Sequence, residues 1–177
     1  MIITLIGFRG SGKSSVGPLL ATRLNMTFVD TDQQIEKETQ QSIADIFAKQ
    51  GEEYFRKIEA ETLQTIYQQE NQVVATGGGA VLNLQTQSLI QSRGPVVWLQ
   101  ADAETTLKRI QKDQAAGTTR PALTDLDFQQ EVVTLLERRE PIYRDLSDLQ
   151  IDTVDATPEQ IVELIQQLIE MSDWGRS

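Results

Sequence analysis

The chain contains no cysteine and no histidine. The first absence excludes disulfides, thiolate metal sites and a cysteine nucleophile. The second excludes an imidazole base and a histidine-bound zinc centre. Chemistry is left to carboxylates, lysines, arginines, hydroxyls and backbone groups. No run approaches the ~20 consecutive apolar residues of a membrane span, and the opening MIITLIGF lacks the basic start of a secretory leader. Positive charge is scarce too: 16 Lys and Arg stand against 26 Asp and Glu, a formal net charge of -10. That balance argues against nucleic-acid partners and anionic membrane surfaces. The expectation is a cytoplasmic protein, monomeric because no long apolar interface stripe stands out. At 177 residues a single domain, 1–177, is the simplest division. A chain of this size buries roughly 70% of its unfolded surface and needs no staples.

What is present alternates. Short apolar runs predict strands at residues 2–6, 27–29, 73–75, 95–99 and 149–151, and segments of helical period lie between them. Apolar stripes run through Val16, Leu19, Leu20 and Leu24; Ile43, Ile46 and Phe47; Phe55, Ile58, Ile66 and Tyr67; Phe128, Val132, Leu135 and Leu136; and Ile161, Leu164, Ile165 and Leu168. The last helix has an entry signal, with Thr157 as N-cap, Pro158 in the first turn and Gln160 as capping-box partner. Strands alternating with helices predict an α/β fold with a parallel sheet covered on both faces. Residues 33–60 hold two helical patterns, more than a simple crossover needs. Residues 111–120, QKDQAAGTTR, are polar and small, which predicts a mobile flap.

Three motifs directly follow predicted strands, where open α/β sheets bind ligands. Gly7-x-x-x-x-Gly12-Lys13-Ser14 is a phosphate-binding loop pattern in the right context, strand before and amphipathic helix after. Its backbone amides and the helix N-terminus favour phosphate oxygens. Lys13 is expected to reach the β- and γ-phosphates of a nucleotide, and the Ser14 hydroxyl to ligate Mg2+. Asp30 and Asp32 follow the second strand. Two residues apart in an extended segment, both would face the loop, one serving a metal through water and the other a substrate hydroxyl. The competing reading is a solvated turn with Asp32 capping a helix. Neither VVAT nor VVWLQ ends in the metal-site aspartate of a typical P-loop ATPase, which favours Asp30 for that part. Thr76-Gly77-Gly78-Gly79 after the third strand is either a flexible turn or a close approach of backbone to ligand.

The arginines divide similarly. Arg56 has Glu59 three residues on, either as surface decoration or as a carboxylate that holds the arginine in place. Arg139 continues an apolar stripe and needs a partner there, a bound anion or a buried salt bridge, while Arg138 should point elsewhere. Arg120 ends the flap and is placed either to fold over the phosphates or to stay solvated.

In order and spacing, GFRGSGKSS, FVDTD, SIADIF, GEEYFRKIE, TGGGA, RPAL and RREPIY resemble the shikimate kinases over essentially the whole chain. The resemblance implies a five-stranded parallel sheet of the nucleoside-monophosphate-kinase type, with a substrate-binding insertion at 33–60 and a lid at 111–124. It implies Mg2+- and ATP-dependent phosphorylation of the 3-hydroxyl of shikimate. By position, Gly10, Ser11, Gly12, Lys13, Ser14 and Ser15 would hold the ATP phosphates. Ser14 would ligate Mg2+ with Asp30 behind it through water. Arg109 would lie near adenine, and Arg120 would be the lid arginine. Asp32 would bind the shikimate hydroxyls and act as base. Arg56 and Arg139 would clamp the carboxylate, and Gly77, Gly78 and Gly79 would line the ring. Lys13, Asp32 and Arg120 would be the catalytic set. The chain departs from the family in a longer stretch from Arg109 to Arg120, in Arg9 within the loop (read as pointing to solvent or the lid), in Gln40 where glycine is expected, and in Asp155 near the adenine end. Another small-molecule P-loop kinase, acting on gluconate or a nucleotide, is the nearest rival. A nucleotide acceptor would call for more arginines and a base slot. A non-catalytic nucleotide-binding homologue would have lost residues such as Lys13, Asp32 or Arg139, and none is missing.

Overall fold

The computed structural model describes residues 1–115, 128–172 and 174. In chain order the elements are β1 (Ile2–Ile6), α1 (Lys13–Leu24), β2 (Thr27–Asp30), α2 (Thr31–Thr39), α3 (Ile43–Ile66), β3 (Gln72–Ala75), a 3-10 turn (Ala80–Leu82), α4 (Leu84–Gln91), β4 (Val96–Gln100), α5 (Ala103–Ala115), α6 (Phe128–Leu146), β5 (Leu149–Asp152) and α7 (Pro158–Met171). The strands form one parallel sheet in the order β2-β3-β1-β4-β5. All five predicted strands are present.

Side chains alternate across the sheet and feed two apolar layers. Ile2, Ile6, Val74, Val96 and Trp98 pack with Leu63 and Ile66 of α3, Ile90 of α4, and Tyr143 and Leu146 of α6. Ile3, Leu5, Val73, Val97, Leu99 and Ile151 pack with Val16 and Leu20 of α1 and Ile161 and Ile165 of α7. Leu19 and Leu164, expected within the α1 and α7 stripes, are exposed. At roughly 100° per residue, Leu19 falls far from the line joining Val16, Leu20 and Leu24. The capping box at Thr157 and Gln160 forms as expected. The stretch 33–60 does hold two helical runs, α2 and α3. Residue Gly51 (φ 84°, ψ 173°) interrupts α3, and Ile35, Ile43, Ile46 and Phe55 make a small core of their own there.

The predicted flap is corrected at its start: α5 continues to Ala115, so residues 111–115 are helical. Low hydrophobicity was a poor guide, because QKDQA has good helix formers and no glycine before Gly117. The remainder of the proposed lid, with Arg120, lies outside the described residues. Gln40 takes the left-handed conformation (φ 55°, ψ 29°) at the end of α2, which accounts for the expectation of glycine at that position.

Gly94 joins α4 to β4 at φ 153°, and a Cβ there would overlap the carbonyl oxygen of Ile2 and stand 3.1 Å from its carbonyl carbon. The neighbour is β1 backbone and cannot yield. Gly94→Ala is expected to destabilise the fold by about 3 kcal/mol, read as a lower urea midpoint at unchanged m.

Candidate active site

All three motifs end at one edge of the sheet, because β2, β3 and β1 are neighbours and parallel. The loop after β1 closes on Gly12, which N-caps α1 in a left-handed conformation. Ser11 is buried beneath it. Lys13 Nζ folds back over the loop and donates to the carbonyls of Gly7 at 2.7 Å and Phe8 at 2.9 Å. Beyond the loop lies a cleft of about 450 Å³, lined by residues 9–16, Asp30, Asp32, Arg109 and, at its far end, Thr153, Ala156, Pro158 and Ile161. Asp155 is exposed and does not line it.

Both aspartates reach this cleft, by a route other than the expected one. The strand stops at Asp30 and α2 starts at Thr31, so the pair does not share an extended segment. Asp30, rather than Asp32, is the helix cap: its Oδ1 accepts from the amides of Asp32 at 3.0 Å and Gln33 at 3.3 Å. Its Oδ2 accepts from Ser14 Oγ at 3.3 Å. Asp32 sits in the first helical turn and is buried.

A second pocket is lined by Phe8, Arg9, Asp32, Ile43, Phe47, Phe55, Arg56, Glu59, residues 77–79 and Arg139. Arg56 and Arg139 reach it from different helices, α3 and α6. Arg56 Nη1 donates to Glu59 Oε2 at 2.7 Å, and Nη2 to Glu52 Oε1 at 3.2 Å. Arg139 is buried with its guanidinium over the Phe8 ring at 5.5 Å, whereas Arg138 is exposed as expected. The glycine run is a close approach rather than a free turn. A Cβ at Gly77 would stand 2.7 Å from Glu59 Oε1 and 2.8 Å from Asp32 Oδ1, and one at Gly79 would stand 2.7 Å from Arg56 Cζ. The run is pinned from two sides: Gly77 N donates to Thr31 Oγ1 at 3.1 Å, and Tyr143 OH donates to the carbonyl of Gly78 at 2.5 Å.

The two cavities share one wall, made of Arg9, Asp32 and Gly78. A phosphate-binding cleft is thus joined to a pocket with two arginines and a carboxylate, the layout of a kinase whose acceptor is a small hydroxylated anion. A model of the shikimate kinase family matches residues 9–170. The chain belongs to the shikimate kinase family. A shikimate kinase of Sulfurihydrogenibium sp. (strain YO3AOP1) is 44% identical over 163 residues, covering 92% of this chain and 94% of that one. A solved shikimate kinase from Acinetobacter baumannii, in complex with shikimate, superposes with a TM-score of 0.90 at 34% identity, covering 97% of this chain and 94% of that one. The enzyme from Aquifex aeolicus superposes with a TM-score of 0.79 at 37% identity, covering 97% of each chain. Shikimate kinases are phosphotransferases that use ATP with Mg2+.

The arrangement around Ser14 and Asp30 suits that metal. Among the described residues no three acidic, histidine or cysteine side chains cluster. A hydroxyl beside one carboxylate is a fitting protein contribution for Mg2+, which takes few protein ligands and completes its shell with phosphates and water. Arg109 is engaged structurally: it donates to the carbonyl of Gly10 at 3.2 Å, to Thr153 Oγ1 at 2.9 Å and to the Thr153 carbonyl at 2.6 Å, tying the phosphate loop to the β5–α7 connection. Among the described residues no helix is long and apolar enough to cross a membrane.

Sequence reasoning missed Tyr143, the phenylalanines of the acceptor pocket, and the burial of Glu59. Tyr143 was within reach, since it lies one turn after Arg139 on the same face of α6. Phe47 and Phe55 were read as core, and their rings pack 4.8 Å apart at the pocket. Glu59 Oε1 is buried with no hydrogen-bond partner. Burial pushes its carboxyl up from about 4.5 to about 7; the neighbouring Arg56 and Arg139 oppose the rise and Asp32 adds to it. Between those values the folded chain holds a proton that the unfolded chain has released, so this group's contribution to stability falls as pH rises from about 4.5 to about 7. Glu59→Gln is expected to flatten that part of the profile, measured as urea midpoints of both proteins from pH 4.5 to 8.

Proposed function

We propose that this chain moves the γ-phosphoryl group of ATP to the 3-hydroxyl of shikimate, with the residues divided between the two cavities as follows. The observation that supports the division is Asp32, which stands in the wall common to both. The loop amides of Gly10, Ser11, Gly12, Ser14 and Ser15 hold the ATP phosphates, together with the Lys13 ammonium. Ser14, with Asp30 behind it, would hold Mg2+, which when bound would neutralise phosphate charge. Arg109 braces the loop near the adenine end through the bonds it already makes. Arg56 and Arg139 take the acceptor carboxylate, since the planar guanidinium matches it with paired hydrogen bonds. Gly77, Gly78 and Gly79 let the ring approach the backbone without a side chain between.

Asp32 accepts the hydrogen of the attacking hydroxyl and orients its oxygen. As the new oxygen–phosphorus bond forms, the bond from phosphorus to the β–γ bridging oxygen breaks and ADP leaves. Such transfers need little covalent help, so positioning and charge neutralisation are most of the task. Arg120 is assigned to the phosphates as the lid arginine. The single domain acts as a monomer. It acts in the cytoplasm.

The test is ADP release from Mg-ATP by the purified protein, with and without shikimate and with quinate and gluconate for comparison. Stimulation by shikimate alone is expected. Equal stimulation by gluconate, or none by shikimate, overturns the acceptor assignment.

A further inference from the structure

The glycine run that lines the acceptor pocket is held through its carbonyls. The Gly77 oxygen accepts from the amide of Ala80 at 3.1 Å, and the Gly79 oxygen from the amide of Leu82 at 3.0 Å, both within the turn that follows β3. The middle carbonyl is held differently. The Gly78 oxygen accepts from a side chain 65 residues along the chain, the hydroxyl of Tyr143, at 2.5 Å. A peptide between two glycines turns over readily, because neither residue has a Cβ to restrict it. The peptide is trans, and a trans peptide sets its N–H opposite its C=O. The bond that holds the Gly78 oxygen thus also fixes which way the Gly79 amide faces.

Tyr143 is buried and lines neither cavity. Its ring packs in the core, 5.9 Å from that of Trp98, and its hydroxyl reaches the glycine run from behind the pocket. On α6 it stands one turn after Arg139, on the same face. Burial pushes the hydroxyl pKa up to about 12, while the Arg139 guanidinium opposes the rise through its charge and as a hydrogen-bond donor. The hydroxyl therefore keeps its hydrogen for Gly78. A phenol donates once and also accepts through its oxygen, so one hydroxyl can serve the glycine carbonyl and the arginine together.

We propose that Tyr143 is a positioning residue of the acceptor pocket: its hydroxyl ties the Gly78–Gly79 peptide to the Arg139 guanidinium, so that backbone and clamp meet the acceptor already set. This rests on the acceptor assignment above. Tyr143 itself touches no substrate, and its effect passes through the two groups it holds. Without the hydroxyl the peptide is free to turn and the arginine loses a neighbour; ordering both again weakens acceptor binding. The phosphate loop is held by other bonds, from Lys13 and Arg109, so nucleotide binding is spared.

The experiment compares wild type, Tyr143→Phe and, as a control, Tyr67→Phe. Tyr67 is also buried, shares a hydrogen bond with Thr4 Oγ1 and lines neither cavity. Steady-state turnover with shikimate and Mg-ATP varied in turn is read beside calorimetric titration with shikimate and with a non-hydrolysable ATP analogue, and beside Tm. Tyr143→Phe keeps the ring and is expected to raise the shikimate KM and Kd about 10-fold, with kcat within about threefold and the Mg-ATP KM within about twofold. Tyr67→Phe should lower Tm by a similar amount with all kinetic values as in wild type. Para-aminophenylalanine placed at residue 143 keeps a donor at the ring tip and should bring the shikimate KM back to within about threefold of wild type; this variant carries the test if Tyr143→Phe does not fold. An unchanged shikimate KM in Tyr143→Phe, equal losses for shikimate and nucleotide, a matching KM rise in Tyr67→Phe, or no recovery with para-aminophenylalanine each overturns the role. Absence of shikimate-stimulated turnover in wild type overturns the acceptor assignment and this inference together; normal wild-type turnover with an unaffected Tyr143→Phe overturns this one alone.

Discussion

Asp32→Asn is expected to lower kcat about 1000-fold while Mg-ATP affinity stays within about twofold. The amide keeps the size of the carboxylate and can still accept a hydrogen bond from the substrate hydroxyl, but it is a poor proton acceptor. Asp32 lies in the wall between the two cavities, so under the proposed division it acts on the bond being made. In the proposed division the metal position falls to Asp30, whose two oxygens are committed to the α2 cap and to Ser14. Nucleotide binding should therefore be spared. Initial rates and calorimetric titration with a non-hydrolysable ATP analogue read the two quantities separately. Parallel losses in both would place Asp32 on the nucleotide rather than on the hydroxyl.

Arg139→Ala is expected to raise the shikimate KM about 100-fold or more, with nucleotide affinity nearly unchanged. Truncating one side of a buried charged contact costs about 2–5 kcal/mol, and about 1.4 kcal/mol is one decade of affinity. Arg139 is 7% exposed and over the Phe8 ring, so the alanine variant also loses packing. Arg139→Lys separates the effects: it keeps the charge and most of the stem but loses the planar fork, and should still raise the KM about 10-fold. Tm shows whether the alanine variant remains folded. An unchanged shikimate KM in both variants would remove Arg139 from the carboxylate clamp.

The acceptor pocket also explains why its glycines come as a run. Gly77 leaves space for the oxygens of Glu59 and Asp32, and Gly79 for the guanidinium of Arg56. A triple glycine in the sequence announces a close approach but does not say to what. Here much of the answer is this chain's own charged side chains, packed against backbone from α2 and α3.

By itself the sequence determined the alternation of strands and helices, the phosphate loop in its strand–helix setting, the capping box of α7, and the burial of Arg139 against the exposure of Arg138. These depend on residues a few positions apart, and short-range periodicity and capping chemistry decide them. Motif order and spacing along the chain carried the family resemblance. Only the tertiary structure decided the rest. The strand order β2-β3-β1 makes neighbours of three motifs that the chain keeps tens of residues apart. The start of α2 at Thr31 made Asp30, rather than Asp32, the helix cap, because a helix, not an extended strand, carries the second aspartate. Glu59 became a buried carboxyl with a raised pKa, and Arg9 a member of the wall between the cavities, through contacts with residues far along the chain. Burial and charge environment are sums over such distant neighbours, and no local pattern encodes them.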